Sequence, residues 1–434
     1  MRNPLTNMIS EAFNITVSEL NERGPKNIPE AFIPSCHLVY SSPATLAYNS
    51  PGAVGFGVKR AGLVIPESVM LLVSPAACGR NSSILSSEEG YADRMFYLCM
   101  DETDLVTGRH LTEIPQAIRD IVEICEPKPK AVVICITCVD ALLGTDLERV
   151  CRKAQEETGV LVVPSYMYAL TREGKKPPMV AIRDTIYSLI ERKPVQPDMV
   201  NLMGYFSPLD PESELFSLLR GAGIHTINQV SECKTLEEYY ELGAANFNLV
   251  LHPESVFAAE QLYGRTGMPF IEMARLYDPD RIHKQYRLLG SAIGVKFADQ
   301  KPYEQACEVR EAFRRSHSGA RFALGEMLNA NPYELACTLV EMDMEVPYIF
   351  SNLTEYDFPY IRRLAESSPE TKVYSGIDPS MVHYKEVEGV DCAIGKDAGQ
   401  YVPSVPVVEW NSEKQPFGYH GFCGLMKELT EVLA

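Results

Sequence analysis

The sequence predicts an α/β protein made of three parallel-sheet units, and three observations carry that prediction. Strand-like and helix-like segments alternate along nearly the whole chain, the pattern of parallel sheets covered by helices. Several strand-like runs are short, β-branched and apolar throughout, as strands buried on both faces are. The length of 434 residues exceeds what one hydrophobic core usually organises. A polar, proline-bearing stretch, Lys193-Pro-Val-Gln-Pro-Asp198, marks a boundary. The expected division is 1–198, 199–300 and 301–434.

In the first unit the apolar run from Val69 to Val73 closes at Pro75-Ala-Ala-Cys78-Gly79. Ile114, Ala117, Ile118, Ile121 and Ile124 repeat at helical spacing, and the strand Ala131 to Cys135 follows. A helix near Asp146 to Glu156 and a strand from Val160 to Pro164 continue the alternation. The second unit opens with the strand Met199 to Gly204. Its first helix is expected to take Asp210 as cap and Pro211 as first residue, burying Leu215, Leu218, Leu219 and Ala222. Strands from Phe247 to Leu251 and Pro269 to Glu272 flank a helix beginning at Glu254, and two helical segments span Asp278 to His317. The third unit starts at Arg321-Phe-Ala-Leu324. Asn331-Pro332-Tyr333-Glu334 then supplies a cap, a first-turn proline and a third-position acid. Short strands near Val346, Val373, Ala393 and Val407 complete its sheet, and Phe422 to Leu433 reads as a closing helix.

Composition narrows the function classes. Hydrophobic residues make up 46% and charged residues 23%, ordinary for a soluble globular protein. No stretch reaches 18 uninterrupted apolar residues and the first residues do not resemble a signal peptide, so the expectation is a cytoplasmic protein with no membrane partner. Forty basic against 58 acidic residues give −18, which disfavours a nucleic-acid partner. The twelve cysteines lack the spacing of a secreted disulfide framework, so most read as buried thiols, with a few left for metal.

Chemistry concentrates at Cys78 and Cys138. Each lies just past an apolar strand, where open α/β sheets place their sites, and thiolates from two loops suit an iron-sulfur cluster. Cys135-Ile-Thr-Cys138 has redox-pair spacing but not the flanks of a thioredoxin-like site; Cys135 still belongs to the strand. The Gly52-x2-Gly55-x-Gly57 run lacks a full nucleotide fingerprint, and the chain has no Gly-x4-Gly-Lys-Ser/Thr loop. If ATP is used, a partner binds it.

The ordered set of segments resembles the nitrogenase component 1 family. Pro75-Ala-Ala-Cys78-Gly79 is similar to the turn that delivers a cluster cysteine. Met100 to Gly108 is similar to the family's acidic stretch, and Cys138-x5-Gly144-x-Asp146 matches its third cysteine motif. Val160 to Pro164, Asn201 to Gly204 and Tyr419-His-Gly-Phe422 follow in the expected order. The resemblance implies three Rossmann-like domains and an iron-sulfur cluster, either 4Fe-4S or a larger P-cluster-like assembly, enclosed with a homologous or identical partner subunit. It also implies an ATP-hydrolysing iron-sulfur reductase, the iron protein, as electron donor.

The chain departs from the family at its other ligands. Where a first cluster cysteine belongs, before Gly52-Ala53, the matching position is near Tyr48; Cys36 lies further upstream. Cys36, Tyr48 or the partner subunit is expected to complete the site, unless a smaller cluster needs fewer ligands. The segment that carries the cofactor cysteine in catalytic subunits aligns with Asn248-Leu-Val-Leu-His252-Pro-Glu254, and the histidine-bearing one with Val407-Val408-Glu409-Trp410. With His252 and Val408 in those places, an ordinary iron-molybdenum cofactor and dinitrogen reduction are not expected. His252, Glu254 and Glu409 are candidates for a substrate or second-metal pocket, against the plainer reading of His252 as a satisfied strand-end histidine. The leading expectation is a reductase subunit acting on an unidentified substrate; the alternative is a noncatalytic cofactor-assembly scaffold.

Overall fold

The computed structural model describes residues 11–34, 36–49, 61–75, 90–136, 143–166 and 176–434. Strand β1 (Asn14–Thr16) comes first in the chain but joins the last sheet. The first sheet contains β2 (Ser68–Ser74), β3 (Met95–Cys99), β4 (Ala131–Ile136) and β5 (Leu161–Tyr166), in the order β3-β2-β4-β5 and parallel throughout. The middle sheet repeats that plan with β6 (Gln196–Met203), β7 (Thr226–Gln229), β8 (Ala245–Val250) and β9 (Phe270–Glu272), ordered β7-β6-β8-β9.

Every residue of β2 and β4 is buried, which is why these strands read as unbroken apolar runs. Because side chains alternate between faces, Val69, Leu71 and Val73 pack with Ile114, Ile118 and Ile121 of the helix Arg109–Ile124. Met70 and Leu72 point the other way, into a core shared with Ile182, Ile186, Met203, Phe206, Val250 and Leu262. The first and middle sheets therefore rest on one continuous core, and residues 55–208 with 223–274 form a single compact unit.

The second compact unit takes residues 1–54, 209–222 and 275–434. Its sheet contains β10 (Arg321–Leu324), β11 (Glu345–Phe350), β12 (Lys372–Tyr374), β13 (Cys392–Ile394) and β14 (Val407–Val408), ordered β1-β12-β11-β10-β13-β14. All its pairs are parallel except β1 with β12, where Asn14 faces Tyr374. β1, β3 and β7 were not among the expected strands: β1 has only three residues and shows no periodicity, whereas β3 and β7 are partly exposed edge strands.

Helix starts test the capping logic. Asn331 caps the helix Pro332–Glu341, its side chain accepting from the Tyr333 and Glu334 amides at 2.9 and 3.0 Å, with Pro332 at the first position. The start expected at Asp210 is displaced: Asp210 accepts from the Glu212 amide in a turn, and Ser213 caps the helix Glu214–Gly221. The closing helix spans Gly418–Leu433, beginning before the expected Phe422. Its N-terminus has no cap of its own; the Glu214 carboxylate accepts from the Tyr419 and His420 amides at 2.7 and 3.0 Å. Gly418 must be glycine there, since its φ is +67° and a Cβ would collide with that carboxylate. Among the described residues, no helix is long and apolar enough to cross a membrane.

Candidate functional site

In the first sheet the strand order reverses between β2 and β4, where Val73 faces Ile136. Open α/β sheets accept ligands outside the carboxyl ends at such a switch point. Cys78 and Cys138 follow the ends of these two neighbouring strands and lie outside the described residues. Ser74, the last residue of β2, is buried, and its Oγ has no hydrogen-bond partner among the described residues. Asp146 caps the helix Leu147–Thr158 by accepting from the Arg149 amide at 2.9 Å. Cys135 is fully buried in the strand, as its place in the apolar run implied. Downstream of β3, Asp104 accepts from the Asp101 amide at 2.9 Å and from Arg109 Nε at 2.6 Å. The Asp101 amide leads in holding its carboxyl below the usual range.

The middle sheet reverses between β6 and β8, and there the loops at Gly204 and His252 meet. The Leu251 amide donates to Met203 O at 2.8 Å, tying the two strand ends. Gly204 has φ +134°, and a Cβ on it would lie 2.8 Å from both the His252 amide nitrogen and Cβ, so only glycine admits this approach. The Tyr205 ring meets the His252 ring edge-on at 5.8 Å, and its hydroxyl donates to Leu251 O at 3.0 Å. His252 caps the short turn Pro253–Ser255: its Nδ1 accepts from the Glu254 amide at 3.3 Å.

Beneath these loops lies Arg183, of the helix Pro178–Tyr187, with its side chain only 2% exposed. Its Nη1 contacts Glu254 Oε2 at 2.6 Å and donates to Met179 O at 3.1 Å; its Nε donates to Gly204 O at 3.2 Å. The guanidinium covers the Phe206 ring at 4.5 Å. Burial pulls its pKa below the ordinary value, and Glu254 opposes that shift. Sequence reading missed Arg183, because a lone arginine in a helix gives no sign that tertiary packing will bury it.

The third sheet reverses between β10 and β13, and the chain itself fills the space at their ends. Asp397 is buried and accepts from the Glu326 and Met327 amides at 2.9 and 2.8 Å. Gly325 and Gly395 allow the close approach, with a Cβ on Gly395 falling 3.2 Å from Gly325 Cα. Glu409, the third pocket candidate, is exposed and pairs loosely with Lys396 at 3.8 Å; it belongs to the other compact unit from His252 and Glu254. Val408 is buried in β14. Trp410 adopts φ +39° and donates from Nε1 to the Tyr277 hydroxyl at 2.6 Å.

Cys36 is exposed, its amide donating to Ile33 O at 2.9 Å. Burial pushes Cys151 and Cys337 up to about 12, and Cys233, Cys392 and Cys423 up to about 11, the behaviour of packed thiols rather than ligands. Among the described residues no three His, Cys, Asp or Glu side chains converge on a metal position.

Comparison with known proteins agrees with this architecture. Residues 54–434 match the sequence family described as nitrogenase component 1 type oxidoreductase. The chain is 23% identical over 409 residues to the nitrogenase iron-molybdenum cofactor biosynthesis protein NifE of Nostoc sp., covering 88% of this chain and 84% of that protein. It is 25% identical over 222 residues to the nitrogenase molybdenum-iron protein alpha chain of Methanosarcina barkeri, 48% of this chain and 41% of that one. The solved structure of nitrogenase Cp1 at pH 6.5 superposes with a TM-score of 0.70 at 18% identity, covering 87% of this chain and 90% of its own, a likeness of fold.

Proposed function

Because the chain belongs to the nitrogenase component 1 type oxidoreductase family, we propose that it is a subunit of a noncatalytic scaffold on which an iron-sulfur cofactor is assembled. The observation that carries this reading is the likeness to a cofactor biosynthesis protein over most of both chains. It reverses the order of the two readings drawn from sequence, in which the reductase came first. Cys78 and Cys138 would hold the cluster from neighbouring strand ends, with Cys36 the third thiol this chain offers. A buried hydroxyl at Ser74, ready to donate to a sulfide, fits that group. The iron ions of such a cluster would supply electron storage when bound; the chain's own part is to hold the cluster through its thiolates and shield it.

One chain offers fewer thiolates than the four a 4Fe-4S cluster takes, which supports a homologous or identical subunit as partner. The absence of a phosphate-binding loop from the sequence supports an ATP-hydrolysing iron protein as electron source. The reductase reading keeps one favourable observation, the shorter match to a nitrogenase alpha chain.

The test is anaerobic co-purification with the natural partner, iron and sulfide analysis, and incubation with a cluster-free acceptor enzyme. A scaffold transfers about one cluster equivalent per site and then stops. Sustained ATP-dependent reduction of an added substrate, over many equivalents per complex, would establish the reductase instead.

A further inference from the structure

The long helices of the second compact unit bring three tyrosines together. Tyr286 lies on the helix Pro279–Ile293, Tyr303 on Gln300–His317 and Tyr419 on Gly418–Leu433. Tyr286 and Tyr419 are buried, whereas Tyr303 is partly exposed. Their rings form a series, with centroids 5.6 Å apart from Tyr286 to Tyr419 and 6.2 Å from Tyr419 to Tyr303; the His283 imidazole stacks on Tyr303 at 4.5 Å. Each phenol donates to its own carboxylate: Tyr286 to Glu214 at 2.6 Å, Tyr419 to Asp299 at 2.8 Å and Tyr303 to Asp280 at 2.5 Å. Tyr239, Tyr333 and Tyr384 instead donate to backbone carbonyls, which satisfies a buried hydroxyl but offers no base.

That difference matters for oxidation. Removing an electron from a phenol turns its O–H into a strong acid, so the step is favoured where a base already accepts the hydrogen bond. Until then the phenols stay protonated. Burial, followed by Glu214, pushes Tyr286 up; burial and then Asp299 push Tyr419 up; the hydrogen bond to Asp280 leads in raising Tyr303. From the ring series and its three bases we propose that Tyr303, Tyr419 and Tyr286 form a proton-coupled redox site that takes one oxidising equivalent from a diffusible one-electron oxidant. The oxidant removes an electron from Tyr303, and the phenolic proton passes to Asp280. Tyr419 then reduces the Tyr303 radical; the Asp280 proton returns to Tyr303 while the Tyr419 proton passes to Asp299. The same exchange carries the radical to Tyr286 and leaves its proton on Glu214, so electrons and protons balance at each step. His283 Nδ1 meets Asp299 Oδ2 at 2.8 Å and Arg310 meets Asp280 at 2.7 Å, which holds both bases in place. This redox site does not depend on the scaffold reading.

The test uses the full chain free of iron, a flash-generated ruthenium(III) polypyridyl oxidant and freeze-quenched paramagnetic resonance. A tyrosyl signal is expected, narrowed when the tyrosine rings are deuterated, and Tyr303→Phe is expected to lose most of it. Tyr263→Phe and Tyr356→Phe, at more exposed rings, are expected to leave it unchanged. An undiminished signal in Tyr303→Phe, or an equal loss in either of the other two, overturns the proposal. The base is read from kinetics. Asp280→Asn is expected to slow radical formation about tenfold and to make its rate rise with the concentration of buffer base, a dependence absent from the parent. A rate as independent of buffer as the parent's would remove Asp280 as the proton acceptor. Tyr419→Phe is expected to form the Tyr303 radical at the parental rate and to lose it sooner, because the radical no longer passes inward; an unchanged lifetime overturns the relay.

Discussion

The switch points of the first and third sheets are alike in geometry and opposite in content. Each lies between two parallel strands whose carboxyl ends open outward, at β2 and β4 in one case and β10 and β13 in the other. The first leads into segments carrying Cys78 and Cys138, whereas the third is closed by its own Asp397, which takes the Glu326 and Met327 amides that a ligand would otherwise find. The middle crevice stands between these extremes, with the loops at Gly204 and Glu254 held by a buried Arg183. Topology thus supplies three equivalent positions, and at the third the chain's own carboxylate occupies the amides.

The largest effect that can break this contrast is at the first crevice. Replacing Cys78 and Cys138 together by alanine is expected to remove nearly all bound iron and its visible absorption, whereas Cys307→Ala leaves both. Full iron retention in the double variant would leave the first crevice no different from the third.

Arg183→Ala comes next, because it removes a buried cation that joins two loops. A loss of about 2–4 kcal/mol is expected from denaturant unfolding, and Arg183→Lys is not expected to restore it, since lysine lacks the planar fork that reaches Gly204 O and Glu254 together. Unchanged stability in Arg183→Ala would show that the middle crevice holds its shape without it.

Asp397→Ala sharpens the comparison from the other side. Freeing the Glu326 and Met327 amides is expected to cost about 1–3 kcal/mol. Inorganic phosphate should then raise the melting temperature of the variant but not of the parent, because only the variant has open amides at that switch point. No phosphate effect in the variant would mean that the third crevice is shut by more than one carboxylate.

Two smaller effects gauge ordinary local structure. Asn331→Ala is expected to lose about 1 kcal/mol as a helix cap is removed. Asp104, whose carboxyl is held below its ordinary value of 3.8, binds fewer protons folded than unfolded as pH falls. Its stabilisation is therefore complete above about pH 4 and is lost as pH drops through the lower folded value. Asp104→Asn should flatten that acid limb of the stability curve, and an unaltered limb would remove Asp104 from the account.

By itself, the sequence determined what depends on neighbours along the chain. Buried strands such as Ala131–Ile136 had to be apolar on both faces, helix starts such as Asn331-Pro332 needed a cap and a fixed φ, and these local requirements leave periodic traces. The alternation of strand-like and helix-like segments gave the three-sheet plan, which the ordered family motifs then matched. Tertiary structure alone decided what depends on residues far apart. Nothing near Asn14 announces that it pairs with Tyr374, nothing near Glu214 announces that it caps the helix at Gly418, and nothing near Arg183 announces a buried guanidinium under Gly204 and Glu254. In each case the partner is brought in by the folding of a remote segment, and a burial or hydrogen bond made that way imposes no period on the local sequence that would reveal it.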